Sequence, residues 1–97
     1  MTNCNKTENG KMALREVHKL KALPEYFELV RIGVKNFEVR KNDRDFKVGD
    51  LLILQEWDGS KYTGRDQRRK ICYILDNKDY CKEGYVILGF DLYYNML

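Results

Sequence analysis

A chain of 97 residues has room for one domain with a single hydrophobic core. Its formal net charge of +3 is well below the basic balance of proteins that hold duplex DNA mainly by charge. No run of the sequence approaches the roughly 18 apolar residues of a membrane helix, and the N-terminal residues lack the apolar segment of a signal peptide. We therefore expect a soluble cytoplasmic protein without a membrane partner.

The cysteines and the single histidine do not have the spacing of a metal site. They are Cys4, Cys72, Cys81 and His18, and no C-x-x-C pair occurs among them. An odd number of unclustered cysteines fits a reducing compartment. We expect no metal ion, no cofactor and a structural role for His18 beside an apolar strand.

The N-terminal residues 1–11 are polar and offer little to bury, which predicts a flexible tail ahead of a single domain at 12–97. Residues 15–21 then alternate, with His18 and Leu20 on one face. This alternation predicts a strand, although the apolar spacing would also suit a helical turn.

A short helix is predicted between Leu23 and Gly33. Pro24 suits the first helical turn, and Gly33 supplies a C-terminal stop. Apolar residues recur at three- and four-residue spacing, which gives the helix one buried stripe. The side chains expected to face the core are Phe27, Val30 and either Tyr26 or Leu29.

Residues 36–41 alternate strictly, which predicts a half-buried strand. In this interpretation Phe37 and Val39 face the core, whereas Glu38 and Arg40 lie on a charged outer face. A polar loop follows before the next strand, and its Asp and Arg side chains suit local turn bonds.

The C-terminal half is predicted to contain three strands. Residues 51–57 are almost continuously apolar, as in a strand covered on both faces, and Asp58-Gly59 signals a tight turn. Residues 61–65 are predicted to extend this hairpin as an arm or long loop. The last two strands are predicted at 67–75 and at 84–92, with a bulge at Gly89.

The order of one strand, one helix and four further strands predicts an α+β domain that is mainly β. The expected architecture is a small curved sheet or barrel of about five to six strands, with the helix packed beside it. All connections are short enough for antiparallel neighbours.

The most distinctive motif is Gly33-x-Lys35-x-x-Glu38-x-Arg40. On a strand, Glu38 and Arg40 share a face, and Lys35 at the strand entrance can lean over the same space. Two cations beside one carboxylate can hold a phosphate or a polarised carbonyl group. The alternative is a salt-bridge ladder on an exposed strand, which contributes about 0 to 1 kcal/mol.

A basic cluster and several aromatic side chains form a second candidate region. The cluster consists of Lys61, Arg65, Arg68, Arg69 and Lys70, with Asp66 as its acid. Bases stacked on aromatic rings beside a basic groove are a common form of RNA binding. The candidate rings are Tyr26, Trp57, Tyr62 and Tyr80. The alternatives are a solvated hairpin face for the cluster and ordinary packing for the rings.

The motif at 33–40 is similar to the signature of ASCH domains, which belong to the PUA-like superfamily. Further segments resemble the DUF3850 family of small bacterial and phage proteins. They are His18-x-Leu20-Lys21-x-x-Pro24-Glu25-Tyr26-Phe27, Phe37 to Asp50, Tyr62-Thr63-Gly64-Arg65 and Gly84 to Gly89. The resemblance covers about residues 17–90. It implies a PUA-like β-barrel with a helix beside it, and a cleft between them lined by the signature residues.

This resemblance implies that the protein binds RNA or a nucleotide in the cleft. The expected ligand contacts are Lys35, Glu38, Arg40, Asn42, Arg44, Tyr26 and Arg65. A protein partner is the other possibility, since a phage or mobile-element accessory domain could bind a host protein through its sheet edge or its exposed aromatic side chains.

Some related small ASCH proteins are amidohydrolases that act on N4-acylated cytidine. They use a lysine, a threonine three residues later and a more distant glutamate. Lys35 matches the lysine, but Glu38 stands at the threonine position, and this departure removes the hydroxyl group. The change favours holding a ligand over cleaving it. If the protein is an enzyme, Lys35 and Glu38 are its catalytic candidates.

Overall fold

The computed structural model describes residues 15–91, so the predicted tail at 1–11 lies outside the described residues. Six elements follow in chain order: β1 (Val17–Ala22), α1 (Pro24–Arg31), β2 (Phe37–Lys41), β3 (Leu51–Trp57), β4 (Tyr62–Leu75) and β5 (Tyr85–Phe90). The prediction of a mainly β fold with one short helix is confirmed. None of the helices formed by residues 15–91 is long and apolar enough to cross a membrane.

The strands form one five-stranded sheet in the order β1-β3-β4-β5-β2. Two expectations were wrong here. The sheet is not closed into a barrel, because β1 and β2 are its two edges and do not pair with each other. The pairs are also not all antiparallel: β1 and β3 are parallel, since α1 and β2 lie between them in the chain and provide a long crossover.

The long strand β4 changes partner along its length. Its first part pairs with β3 and its last part pairs with β5, with a register shift between Ile71 and Tyr73. The bulge predicted at Gly89 thus occurs at this level of the sheet, but the extra residue lies on β4, between the partners of Phe90 and Gly89. Because the shift changes the facing of the residues after it, Ile71 is buried and Tyr73 is exposed.

The turn between β3 and β4 occupies residues 58–61, so residues 62–65 belong to β4 and not to a long loop, although the register shifts between Gln55 and Trp57. β4 already begins at Tyr62, which pairs with Trp57. The burial of β3 alternates, with Leu52 and Leu54 fully buried and the intervening residues half-buried. One face of this strand is therefore core, and the expectation of two covered faces was wrong.

The helix α1 closes the core through one narrow stripe. Phe27 and Val30 are fully buried among the core residues of the sheet. Tyr26 and Leu29 remain exposed, although one of them was expected in the core. An eight-residue helix completes little more than two turns, and the stripe at three-residue spacing is already filled by Phe27 and Val30.

The face of strand β2 that is buried is the opposite of the predicted one. Glu38 is buried, with 5 % of its surface exposed, whereas Phe37 and Val39 are 43 % and 52 % exposed. A buried carboxylate is costly unless it is paired, and here it has two cationic partners. The pairing explains why the charged face, and not the apolar face, points inward.

A buried hydrogen bond between two side chains links β1 to the start of β3. His18 lies in β1, and Asp50 immediately precedes β3; His18 Nε2 lies 2.7 Å from Asp50 Oδ2. The same carboxylate accepts hydrogen bonds from the backbone N–H groups of Lys47 and Glu16, at 3.0 Å and 3.2 Å. The structural role expected for His18 thus has a specific partner that spacing alone did not indicate.

Candidate functional site

A pocket of about 410 Å³ opens where the two sheet edges face each other beside α1. Its lining comes from β1, the start of α1, the connection after α1 and strand β2. The lining residues are Lys21, Ala22, Leu23, Tyr26, Lys35, Glu38, Val39 and Arg40. The volume lies within the range of about 300 to 1,000 Å³ that is typical of small-molecule sites.

Gly33 directs the chain from the helix end into this pocket. Its φ of +84° lies in the left-handed region, which favours glycine. The turn lets the backbone N–H groups of Val34 and Lys35 both donate to the carbonyl of Leu29, at 2.9 Å and 3.0 Å. The signature glycine therefore ends α1 and places Lys35 at the pocket wall.

We expect Gly33→Ala to lower the free energy of unfolding by about 1 to 2 kcal/mol, because a Cβ is disfavoured in the left-handed region. Gly33→Asn should restore part of the loss, since asparagine tolerates this conformation. Chemical denaturation measures both values. Gly89→Ala is the control, because its Cβ would meet only ordinary contacts of 3.6 Å or more. Equal stability of the two alanine variants would contradict this explanation.

Glu38 is held between two cations. Lys35 Nζ donates to Glu38 Oε2 at 2.8 Å, and Arg40 Nε donates to Glu38 Oε1 at 3.1 Å. Lys35 also donates to the carbonyl of Phe37 at 2.7 Å. All three charged side chains are largely shielded, which excludes an exposed salt-bridge ladder. The motif is instead one carboxylate clamped by an ammonium and a guanidinium at the wall of a pocket.

Two arginines bridge the gap between the sheet edges. Arg40 Nη2 donates to the carbonyl of Lys21, and Arg44 Nη1 donates to the carbonyl of Lys19 at 2.8 Å. Both carbonyls belong to the edge strand β1, which pairs with β3 on its other side. In a closed barrel, backbone hydrogen bonds would join these two edge strands. Here arginine side chains make the hydrogen bonds to β1 instead, and the pocket occupies the space between the edges.

The clamp leaves hydrogen-bonding capacity for a ligand. A carboxylate has about four lone-pair sites, and the two contacts from Lys35 and Arg40 occupy two of them. An ammonium has three donors, and Lys35 uses two. Glu38 can therefore accept from an amino or imino group, while Lys35 can donate to an oxygen of the same ligand.

Aromatic and apolar side chains form the other side of the pocket. Tyr26 is 45 % exposed, and Lys35 Nζ lies 5.8 Å from its ring centroid. Leu23 is similarly exposed at the start of α1. A planar ligand beside the clamp would have these surfaces to stack on.

The structure separates the predicted site residues into three groups. Tyr26, Lys35, Glu38 and Arg40 line the pocket together. Arg44 lies in an adjoining hollow of about 110 Å³, which Arg40 also borders. Neither hollow includes Asn42 or Arg65 in its lining.

Arg65 instead links the helix to the sheet. Its guanidinium lies 3.2 Å from Glu28 and 3.5 Å from Glu56, and 4.8 Å from the ring centroid of Phe27. Hydrogen bonds from Arg31, and then from Arg65, lower the pKa of Glu28 to about 2. Thr63 also donates to Glu56 at 2.6 Å. This network links Glu28 of α1 to strands β3 and β4, and it does not include the residues of the clamp.

Four lining residues were not identified as site residues from the sequence: Lys21, Ala22, Leu23 and Val39. Lys21 and Leu23 lie in or beside the segment from His18 to Phe27 that carried part of the family resemblance, and this was the available signal. Val39 gave no signal, because its place in the alternation predicted core. Among residues 15–91, no group of three or more His, Cys, Asp or Glu side chains could hold a metal ion.

Comparison with known proteins agrees with the motif. The family model described as "Domain of unknown function (DUF3850)" matches residues 17–90, which include the whole pocket lining. A protein of Escherichia phage P2, the "Uncharacterized 12.9 kDa protein in GpA 3'region", is 40 % identical over 75 residues. The match covers 77 % of this chain and 68 % of the phage protein. The chain is a member of the DUF3850 family.

Proposed function

We propose that this protein is an ASCH domain of the PUA-like superfamily that binds RNA, or a nucleotide of it, in the pocket between α1 and the two sheet edges. The observation that carries the proposal is the clamped, buried carboxylate of Glu38 at the wall of an accessible pocket. A salt bridge on a surface needs no concave space beside it, whereas a recognition site does.

The polar groups match the edge of a nucleobase. Glu38 accepts from an exocyclic amino or ring imino group, Lys35 donates to a carbonyl oxygen, and Tyr26 offers a ring for stacking. Lys21 also lines the pocket, and its ammonium, 3.9 Å from the Trp57 ring centroid, can contact a phosphate of the same ligand. The arrangement suits a single unpaired nucleotide, because a base within a duplex exposes neither its pairing edge nor its face.

The proposal predicts salt-sensitive binding to single-stranded RNA, measured by fluorescence anisotropy of labelled oligonucleotides at two ionic strengths. We expect Lys35→Ala combined with Arg40→Ala to weaken binding by at least about 10-fold, since it removes two charge-assisted contacts. The matched control is Lys78→Ala combined with Lys82→Ala, which removes the same charge from the loop between β4 and β5.

The control distinguishes binding in the pocket from nonspecific electrostatic attraction of RNA to the protein. Equal losses in the two double variants would mean that binding follows net charge, and the pocket would have no special role. Absence of binding by the unaltered protein at low salt would overturn the proposal directly. Circular dichroism of each variant establishes that the fold is retained.

A second candidate function is hydrolysis of an acylated nucleoside. It is favoured by one observation: Lys35 Nζ and Glu38 Oε2 lie 2.8 Å apart in the same pocket. However, Lys35 acts there as a donor to two oxygens, which suits binding better than nucleophilic attack. Turnover of any member of a panel of N-acylated nucleosides, lost in Lys35→Ala, would establish this candidate over simple binding.

A further inference from the structure

The register of the sheet groups a second set of side chains on the face opposite α1, here called the outer face. Lys19 of β1 lies opposite Ile53, which lies opposite Arg68 of β4. In the next such row, Lys21 pairs with Gln55 and Gln55 with Asp66. The helix packs on the other face, and these side chains are exposed or half-buried.

An aromatic pair stands at one end of the outer face. Trp57 and Tyr62 are cross-strand partners whose ring centroids lie 4.9 Å apart at 71°. Lys21 Nζ lies 3.9 Å from the centroid of the Trp57 ring. Tyr62 is 48 % exposed, and its ring can therefore take a stacked base.

The basic cluster at 61–70 is divided between the two faces. Arg69 points inward and donates to the carbonyl of Val30 at 2.9 Å, and burial lowers its pKa. Arg65 also points toward α1. Arg68 lies on the outer face with Lys19 and Lys21, where Asp66 lies 3.9 Å from Arg68.

Lys21 connects this face to the pocket, because it both lines the pocket and covers the Trp57 ring. We propose that the outer face is a second subsite for single-stranded nucleic acid: a nucleotide next to the one in the pocket stacks on Tyr62, and the strand continues along Lys19, Lys21 and Arg68. This inference rests on the proposed function of the pocket and extends it from one nucleotide to an oligonucleotide.

Charge and shape favour a single strand as the occupant. The face carries three cations, and Lys21 lies 5.9 Å from the exposed Tyr62 ring, an arrangement that matches a chain of phosphates carrying unstacked bases. A duplex would keep its bases stacked and leave Tyr62 without a partner. An apolar protein partner would be expected to cover a patch poor in charge, whereas on this face Lys19, Lys21 and Arg68 flank the β3 residues Ile53 and Gln55.

Trp57 is the single tryptophan of the chain, so its fluorescence reports directly on this face. Titrations should use uridine monophosphate and oligouridylates of about three, six and nine nucleotides, with oligothymidylates as the DNA arm. We expect affinity to increase from the monophosphate to the longer oligomers. The emission of Trp57 should change more with oligomers, which reach the neighbouring Tyr62 ring.

The decisive variant is Tyr62→Ala, which should weaken oligomer binding by about 10-fold and leave binding of the monophosphate unchanged. Tyr62→Phe retains the ring and should bind like the unaltered protein. Tyr80→Ala is the matched control, because Tyr80 is an exposed tyrosine in the loop between β4 and β5. Thermal unfolding of each variant separates a loss of binding from a loss of folding.

The outcomes separate this inference from the proposed function. If the monophosphate binds but affinity does not rise with length, and Tyr62→Ala behaves like Tyr80→Ala, the outer face is not a subsite and the pocket proposal stands. If Tyr62→Ala weakens oligomer binding while the Lys35/Arg40 double variant does not, the face binds nucleic acid and the pocket proposal fails. If neither ligand binds, both are overturned.

Discussion

Asp50→Ala should lower the free energy of unfolding by about 3 to 5 kcal/mol, because it removes the shared acceptor of three hydrogen bonds and each group left without its partner costs about 1 to 3 kcal/mol. Asp50 is 1 % exposed, and its carboxylate contacts His18 and accepts from two backbone N–H groups. Alanine leaves the buried His18 ring and two partly buried N–H groups without this acceptor. For a domain of this size the midpoint of thermal unfolding should fall by about 4 to 8 °C per kcal/mol.

Two further variants test the reason for this effect. Asp50→Asn keeps the shape but turns an NH₂ group toward one of the donors, so we expect an intermediate loss of about 1 to 2 kcal/mol. Asp79→Ala removes an exposed acid from the loop between β4 and β5 and should change stability by less than about 0.5 kcal/mol. A stability of Asp50→Ala close to that of Asp79→Ala would show that the His18 contact does not hold β1 in place.

Glu38→Gln should lower both stability and ligand affinity. Glutamine keeps one acceptor oxygen, but its NH₂ group must face Lys35 or Arg40, both of which are donors. We expect a loss of about 2 kcal/mol of folding free energy, less than for a fully buried pair, because both cations retain access to water. RNA affinity should fall by at least about 10-fold, since the clamp that orients Lys35 and Arg40 is gone.

The matched control for this variant is Glu83→Gln, an exposed acid outside the pocket. It makes the same chemical change and should leave both stability and affinity unaltered. Denaturation and anisotropy titrations measure the two quantities on the same preparations. If Glu38→Gln loses stability but binds RNA normally, Glu38 is a structural residue and the proposed recognition by its carboxylate is wrong.

The sequence was most informative where the signal is local. Pro24 and Gly33 marked the two ends of α1, because the proline ring and the left-handed turn act within a few residues. The spacing of Lys35, Glu38 and Arg40 predicted that the three charges share one space, and in the structure they do. Both signals depend on backbone geometry over fewer than ten residues.

The same reasoning failed for the facing of β2. Alternation shows that Phe37 and Val39 lie on one face, but not which face turns inward. Hydrophobicity favours these two side chains as the core, whereas the structure buries Glu38 because two cations and a pocket surround it. The pocket is lined in part by Lys21, which belongs to β1 and is distant in sequence from Glu38.

By itself the sequence determined the elements, the helix ends, the charged motif and the family. Only the tertiary structure decided the open sheet with its parallel β1 and β3, the buried pair of His18 with Asp50, and the division of the basic cluster between two faces. The physical reason is the distance along the chain over which each effect acts. Propensity and periodicity act along a few neighbouring residues, but the pairing of edges, the burial of charge and the shape of a pocket depend on segments that meet only in the fold. The clamped Glu38 between the two sheet edges depends both on the local spacing of the motif and on the tertiary contacts that surround it.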